Sequence, residues 1–226
     1  MLISFDSVSK SYGATVTAVE NATFTINSGE FVFLVGTSGA GKTTILRLLI
    51  RDLIPTNGKI LIDSQDTGDI KKSHVPHLRR KIGMIFQDFK LLSDRTVGEN
   101  VAITLEILGK PKKEIDQKVA EVLHLVGLVD KTLLFPVQLS AGELQRTAIA
   151  RAIIGGPKVL LADEPTGNLD PTTAWEILKI LKEINKLGTT VVMATHNVDI
   201  VNSLKKRVIA MEKGKIIKDQ KEGKYR

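Results

Sequence analysis

The stretch from residue 31 to residue 44 constrains this chain more than any other. Phe31–Val35 is an unbroken apolar run. It leads without a linker into Gly36, Thr37, Ser38, Gly39, Ala40, Gly41, Lys42, Thr43 and Thr44. A short continuous apolar run suits a strand covered on both faces, as in a parallel sheet. Residues 45–53 follow with helical periodicity and stop before Pro55. Strand, glycine-rich turn and helix are the setting in which GxxxxGK[ST] cradles phosphate groups. Glycine lets backbone N–H groups turn inward without side-chain interference, and those donors face the ligand together with the helix N-terminus. In that arrangement Lys42 reaches the β- and γ-phosphate oxygens and the Thr43 hydroxyl ligates Mg²⁺. A plain glycine turn is the competing reading, and the flanking strand and helix argue against it.

The remaining chain alternates strand and helix patterns, which predicts an α/β fold. Residues 2–8 alternate as a strand, residues 10–13 read as a polar break, and residues 19–26 form a second strand before the turn at 27–29. A short strand is expected over 59–63 in a hairpin-like pairing, then a polar loop over 64–77. An apolar strand over 81–86 ends at Gln87. A glutamine at the end of a central strand can reach a bound ion or an attacking water, or can simply hydrogen-bond its own loop. Both readings stay open. From 88 to 157 the period becomes helical, with apolar residues at i, i+3 and i+4 over 97–108 and 114–126. This predicts a helical insert within one α/β core.

Composition narrows the classes. With 226 residues and 42% apolar content the chain can bury a large core. It has no cysteine, so disulfide and thiol chemistry are excluded, which fits a reducing cytosol. No apolar run approaches the roughly 18 residues of a membrane span, and the first residues lack the basic-then-apolar order of a signal peptide. The net charge of +7 suits phosphate-bearing ligands. Basic residues gather at 79–81, 110–113, 205–207 and beyond 213. Aromatics, 4% of the chain, do not interleave with them, which favours anionic lipid headgroups over nucleic acid.

Residues 139–170, LSAGELQRTAIARAIIGGPKVLLADEPTGNLD, hold the second concentration of chemistry. Ser140 and Glu143 have capping-box spacing and open a helix that stops at Gly155-Gly156-Pro157. A well-capped helix is a complete reading of that pair by itself. Residues 159–162 are a buried strand that ends in two adjacent carboxylates, Asp163 and Glu164. Asp163 suits water-bridged coordination of Mg²⁺, and Glu164 is placed to accept a proton from attacking water. A helix over 171–187 carries Trp175 as a packing residue. Another central strand, 189–195, ends at His196, at the carboxyl edge where ligands collect. A hairpin around Lys213-Gly214 closes the chain.

Six features in this order resemble the ABC-type ATPases: residues 36–43, Gln87, LSAGE at 139–143, VLLADE at 159–164, NLD at 168–170, and His196. The resemblance covers essentially the whole chain. It implies a single domain with a RecA-like P-loop core, residues 1–88 and 158–226. That core has a mainly parallel sheet and an N-terminal antiparallel β part. A helical signature subdomain, 89–157, is inserted in it. It also implies roles. Tyr12 stacks on adenine, residues 36–44 hold the phosphates, Thr43 and Gln87 contact Mg²⁺, and Asp163 holds the ion through water. Glu164 is the general base and His196 contacts the γ-phosphate of ATP. Ser140, Ala141, Gly142 and Glu143 form the signature that meets ATP held by a second subunit, and Asp170 couples the two sites. Two copies then close head-to-tail on two ATP molecules.

FQDFKLL (86–92), TVGENV (96–101) and DEPTGNLD (163–170) are similar to the cell-division branch of that family. This implies an FtsX-like integral membrane partner, regulation of cell-wall hydrolysis, and a peripheral position on the cytoplasmic face of the cell membrane. Membrane contact is expected through the partner, and no nucleic acid is expected. An exporter ATPase of the lipoprotein-release or macrolide type, which shares DEPTGNLD, is the alternative. A soluble DNA-repair or chromosome-organising ATPase is a third. That class needs a coiled coil or zinc insertion between P-loop and signature, and the 98 positions from Lys42 to Ser140 hold neither. Three residues depart from the family pattern: Ala141 for glycine, Leu144 for a polar residue, and Asn197 for aspartate.

Overall fold

The computed structural model describes residues 2–13 and 15–223, so residues 224–226 of the basic tail lie outside the described residues. Strands β1 (Ile3–Tyr12), β2 (Val16–Ile26), β4 (Asn57–Ile62) and β5 (Gln65–Asp66) form an antiparallel sheet in the order β2-β1-β4-β5. A second sheet contains β3 (Phe31–Val35), β6 (Ile82–Ile85), β7 (Val159–Asp163), β8 (Thr190–Thr195), β9 (Arg207–Glu212) and β10 (Lys215–Gln220). Its order is β10-β9-β3-β8-β7-β6. Every pairing is parallel except β9 with the edge strand β10.

The apolar runs are explained by burial on both faces. Along β3, Phe31, Phe33 and Val35 point into one core, and Val32 and Leu34 into the other. β7 divides the same way, with Leu160 and Ala162 opposite Val159 and Leu161. The first core is covered by α3 (Val97–Ile107), α4 (Lys112–Val126), α5 (Ala141–Ile153), α6 (Pro171–Lys186) and α7 (Val198–Leu204). The second is covered by α1 (Lys42–Leu49) and the antiparallel sheet, where Phe5 and Phe24 stack with centroids 4.5 Å apart. No described helix is long and apolar enough to cross a membrane.

Several boundaries differ from expectation for local reasons. The polar break at 10–13 is strand up to Tyr12. β1 absorbs its irregular pattern through register shifts, with Ser7 at φ 52°. α1 begins at Lys42 and ends at Leu49. Arg51 then turns left-handed, and its guanidinium donates to the carbonyls of Thr67 and Gly68. The expected loop at 64–77 contains β5 and the start of α2 (Val75–Arg79), which has Pro76 in its first turn and buries Leu78. α7 carries no expectation from sequence and is capped by Asn197, whose Oδ1 accepts from Ile200 N–H at 3.1 Å. Trp175 does not pack inside. It is 39% exposed, because α6 buries 174, 177, 178, 181 and 184 and leaves 175 beside that stripe.

β6 and α5 approach unusually closely. A Cβ at Gly83 would lie 2.4 Å from the carbonyl oxygen of Ala152. Gly83→Val is expected to destabilise the protein by about 1–3 kcal/mol. Chemical denaturation should show a lower midpoint at unchanged slope, and an unchanged midpoint would show that the end of α5 moves away freely.

Candidate active site

The site is built by register. Val35 pairs with Thr195, Asp163 with Ala194, and Ile85 with Ala162. The chain therefore leaves the sheet at one carboxyl edge through Gly36, Glu164, His196 and, just beyond β6, Gln87. A cavity of about 600 Å³ opens there, lined by Ala18, residues 37–44, Gln87, Glu164 and His196. Two P-loop glycines are also required by packing. A Cβ at Gly36 would lie 2.4 Å from the Met211 carbonyl, and one at Gly41 would lie 2.4 Å from the Ala18 carbonyl. The loop thus wraps against the backbones of β9 and β2 on its outer side, which leaves its inner side for a ligand.

Charge is concentrated at the mouth of α1. The buried Lys42 ammonium donates to the carbonyls of Gly36 (2.8 Å) and Thr37 (3.1 Å) and lies 3.7 Å from Glu164 Oε1. The same oxygen is 2.9 Å from His196 Nδ1. Glu164 has φ 47°, an uncommon backbone state for glutamate. Its N–H bonds Ala194 O at 3.0 Å and its carbonyl accepts Gly167 N–H at 3.0 Å. Burial pushes the Asp163 carboxyl above its ordinary range, and the nearby Glu164 charge adds to this. A hydrogen bond from the Thr43 hydroxyl and the Lys42 charge pull it back. Tyr12 is 42% exposed and does not line the cavity, and the Lys10 ammonium sits 5.5 Å from its ring centroid.

A second group gathers on the same chain without lining that cavity. Ser140 caps α5 with reciprocal bonds: Ser140 N–H donates to Glu143 Oε2 at 2.8 Å, and Glu143 N–H donates to Ser140 Oγ at 3.3 Å. The Ser140 N–H first, and then the Ser140 hydroxyl, which donates to the same Oε2 at 2.9 Å, hold the Glu143 carboxyl below its usual range. Ala141 is exposed and Gly142 is buried. A Cβ at Gly142 would meet Thr173 Cγ2 at 2.5 Å. Asp170 caps α6 by accepting from Thr173 N–H at 3.1 Å and from the Thr173 hydroxyl. Residues 140–143 and Asp170 are thus brought together through Thr173, apart from the cavity at 36–44.

Residues 19–167 match the ABC transporter family. The chain belongs to that family. It is 53% identical to the cell division ATP-binding protein FtsE of Bacillus subtilis over 99% of this chain and 98% of that protein. The protein of the same name from Mycobacterium tuberculosis is 46% identical, over 100% and 98%. Among solved structures, the dimeric ATP-binding cassette MJ0796 bound to ADP and Pi superposes with a TM-score of 0.90 at 33% identity, covering 99% of this chain and all of that one. The chain is an ATPase of the ABC type, and ATP is its ligand.

Sequence reasoning missed two polar residues that shape this ABC ATPase between its two residue groups. Arg151, near the end of α5, donates to the carbonyls of Phe89 (2.8 Å) and Lys90 (2.7 Å). Both residues are left-handed, at φ 59° and 51°, and only Asp88 separates them from Gln87. Asn100 is fully buried. Its Oδ1 accepts from Leu92 N–H at 2.8 Å, and its Nδ2 donates to the carbonyls of Leu92, Arg95 and Thr96, each at 3.0 Å. Only the placement of Arg151 on a helix and of Asn100 inside an apolar helical face hinted at either role.

Arg151→Met removes both bonds that hold the turn after Gln87. We expect kcat to fall about tenfold, equivalent to ~1.4 kcal/mol of barrier, with little change in ATP affinity. Equal loss in both would assign Arg151 to general stability. Asp163 carries a separate expectation. Its folded pKa is raised, so its contribution to stability is fully present below the unfolded value of about 3.9 and is lost as pH rises through the folded value. Asp163→Asn should therefore raise the melting temperature of the nucleotide-free protein at pH 7, by a margin that shrinks towards pH 4. An equal or lower Tm at pH 7 would contradict this.

Proposed function

We propose that this chain is the ATP-hydrolysing subunit of a cell-division complex, in which two copies close head-to-tail on ATP and move an FtsX-like membrane partner that regulates cell-wall hydrolysis. The observation that carries the reading is the separation of two residue groups on one chain. Lys42, Gln87, Glu164 and His196 surround the chain's own phosphate loop, whereas the capped N-terminus of α5 at Ser140 lines no part of that cavity. A second copy brings Ser140 and Gly142 to the phosphates of its neighbour. The cassette MJ0796, similar to this chain, is a dimer. The near full-length similarity to cell-division ATP-binding proteins supports the cellular role.

In this reading residues 36–44 hold the phosphates and Lys42 exchanges its two loop carbonyls for phosphate oxygens. Thr43, Gln87 and Asp163 suit Mg²⁺. They offer a hydroxyl, an amide and a buried carboxylate already hydrogen-bonded to the hydroxyl, a sparse oxygen set that leaves room for water and phosphate. The ion supplies charge neutralisation of the phosphates when bound. Glu164 accepts the proton of the attacking water, and His196, bonded to the same carboxylate, orients it and reaches the γ-phosphate. Tyr12 stacks on adenine as ATP enters. Asp170, tied to α6 beside Gly142, couples the two sites. Residues 89–157 act as the helical signature subdomain against the partner. The protein sits peripherally on the cytoplasmic face of the membrane.

Glu164→Gln is expected to bind ATP yet turn over roughly 10²–10⁴-fold more slowly, as for loss of a general base, and to accumulate as an ATP-bound dimer. Steady-state hydrolysis and sedimentation check both, and parental turnover would refute the base assignment. Recovery of a four-helix permease with this variant from native membranes supports the FtsX-like partner. Recovery of a larger exporter would overturn it.

A further inference from the structure

His196 stands just past the end of β8, and packing does not hold it. Its side chain is 66% exposed, and its Nδ1 meets Glu164 Oε1 at 2.9 Å. A ring with so few walls takes its direction from its backbone. Glu164 is already tied to β8, because its N–H donates to Ala194 O at 3.0 Å. The aim of the imidazole at that carboxylate therefore depends on the short step of chain from Thr195 to Asn197.

Thr195 is the last residue of β8 and is fully buried. By strand alternation it continues the side of Val191 and Met193, which face the first core. Packing alone asks for no hydroxyl there, and its partner across the ladder, Val35, has none. A buried hydroxyl costs stability unless it is hydrogen-bonded. Thr195 Oγ1 accepts Asn197 N–H at 3.1 Å. A hydroxyl oxygen that accepts from the N–H two residues on closes an ST-turn, where it replaces the carbonyl of an ordinary backbone turn. His196 is the middle residue of that turn. On its far side Asn197 caps α7 through Ile200 N–H, and Ile200 and Val201 anchor α7 in the same core.

We propose that Thr195 is a positioning residue for ATP hydrolysis: the turn closed by its hydroxyl aims the His196 imidazole at Glu164 and the γ-phosphate. The proposal rests on the role given to His196 under the proposed function. Valine at position 195 fills the same space but cannot close the turn, so the core keeps its packing while His196 loses its aim. Serine closes the turn and gives up only one methyl contact.

The test is steady-state ATP hydrolysis by the full-length chain carrying Thr195→Val, Thr195→Ser, His196→Ala, or Thr195→Val with His196→Ala. Thr195→Val should lower kcat about tenfold with KM for ATP little changed, because small misplacement of a reacting group costs rate steeply. Its melting temperature should stay close to that of the parent, which verifies folding. Thr195→Ser should recover most of kcat. In the His196→Ala background, Thr195→Val should lower kcat no further, because two residues that act as one unit are not additive. Parental turnover in His196→Ala would overturn the role of His196, and the proposal with it. A loss in His196→Ala with parental kcat in Thr195→Val would overturn the proposal alone. Additive losses in the double variant, or equal losses in Thr195→Val and Thr195→Ser, would also overturn it and assign Thr195 to packing.

Discussion

The parallel pairing of β3, β7 and β8 is the constraint from which the rest of the molecule follows. Parallel strands cannot be joined by tight hairpins, so each return crosses a face of the sheet and buries it. Both faces are then apolar, which is why these strands read as unbroken hydrophobic runs. The same geometry gathers every carboxyl end at one edge, and with Val35 opposite Thr195 and Asp163 opposite Ala194 no freedom remains in what meets there. A loop rich in glycine becomes the neighbour of an acid and a histidine that follow it by more than a hundred residues in sequence.

The polar groups at that edge cost the fold stability and are retained for chemistry. Asp163 is buried enough that its charged form is disfavoured, and the neighbouring Glu164 adds repulsion. Lys42 is buried beside both, and two loop carbonyls satisfy most of its donors. Phosphate oxygens are better partners for an ammonium than peptide carbonyls. Ligand binding therefore relieves a tension already present, and the cavity is poised for an anion before one arrives. Glu164 adds a left-handed backbone to this, held from both sides by Ala194 and Gly167.

Most of the core was legible in the sequence because its signals are local. The run FVFLV, the glycine loop, and the carboxylates after VLLAD each state their place within a few residues. The functions shared along the chain, ATP hydrolysis and family membership, followed from the order of six such signals. What stayed hidden depends on long-range partners. Tyr12 belongs to a strand because it pairs with Val16 of β2, so its polar surroundings were misleading. Trp175 looked like a core residue by type and is exposed by angle. Arg151 and Asn100 were invisible because each acts on backbone carbonyls, and a carbonyl carries no sequence signature.

α5 connects the two groups of functional residues mechanically. From Ser140 to Arg151 it spans roughly 16 Å of helix, at about 1.5 Å per residue. One end presents the capped N-terminus, and the other grips the turn that follows Gln87. Along that length it packs against α3, α4, α6 and β6. One helix thus ties the Ser140 cap to the carbonyls of Phe89 and Lys90, just beyond Gln87. The departure at Ala141 fits this arrangement. Gly142 is the position where the fold forbids a side chain, because Thr173 lies against it, and Gly142 is retained. Position 141 faces outward in the first turn, so its methyl group disturbs neither the cap nor the contact with α6. The helix and its contact with α6 are left intact, and the effect of the methyl group is confined to the exposed face of the first turn.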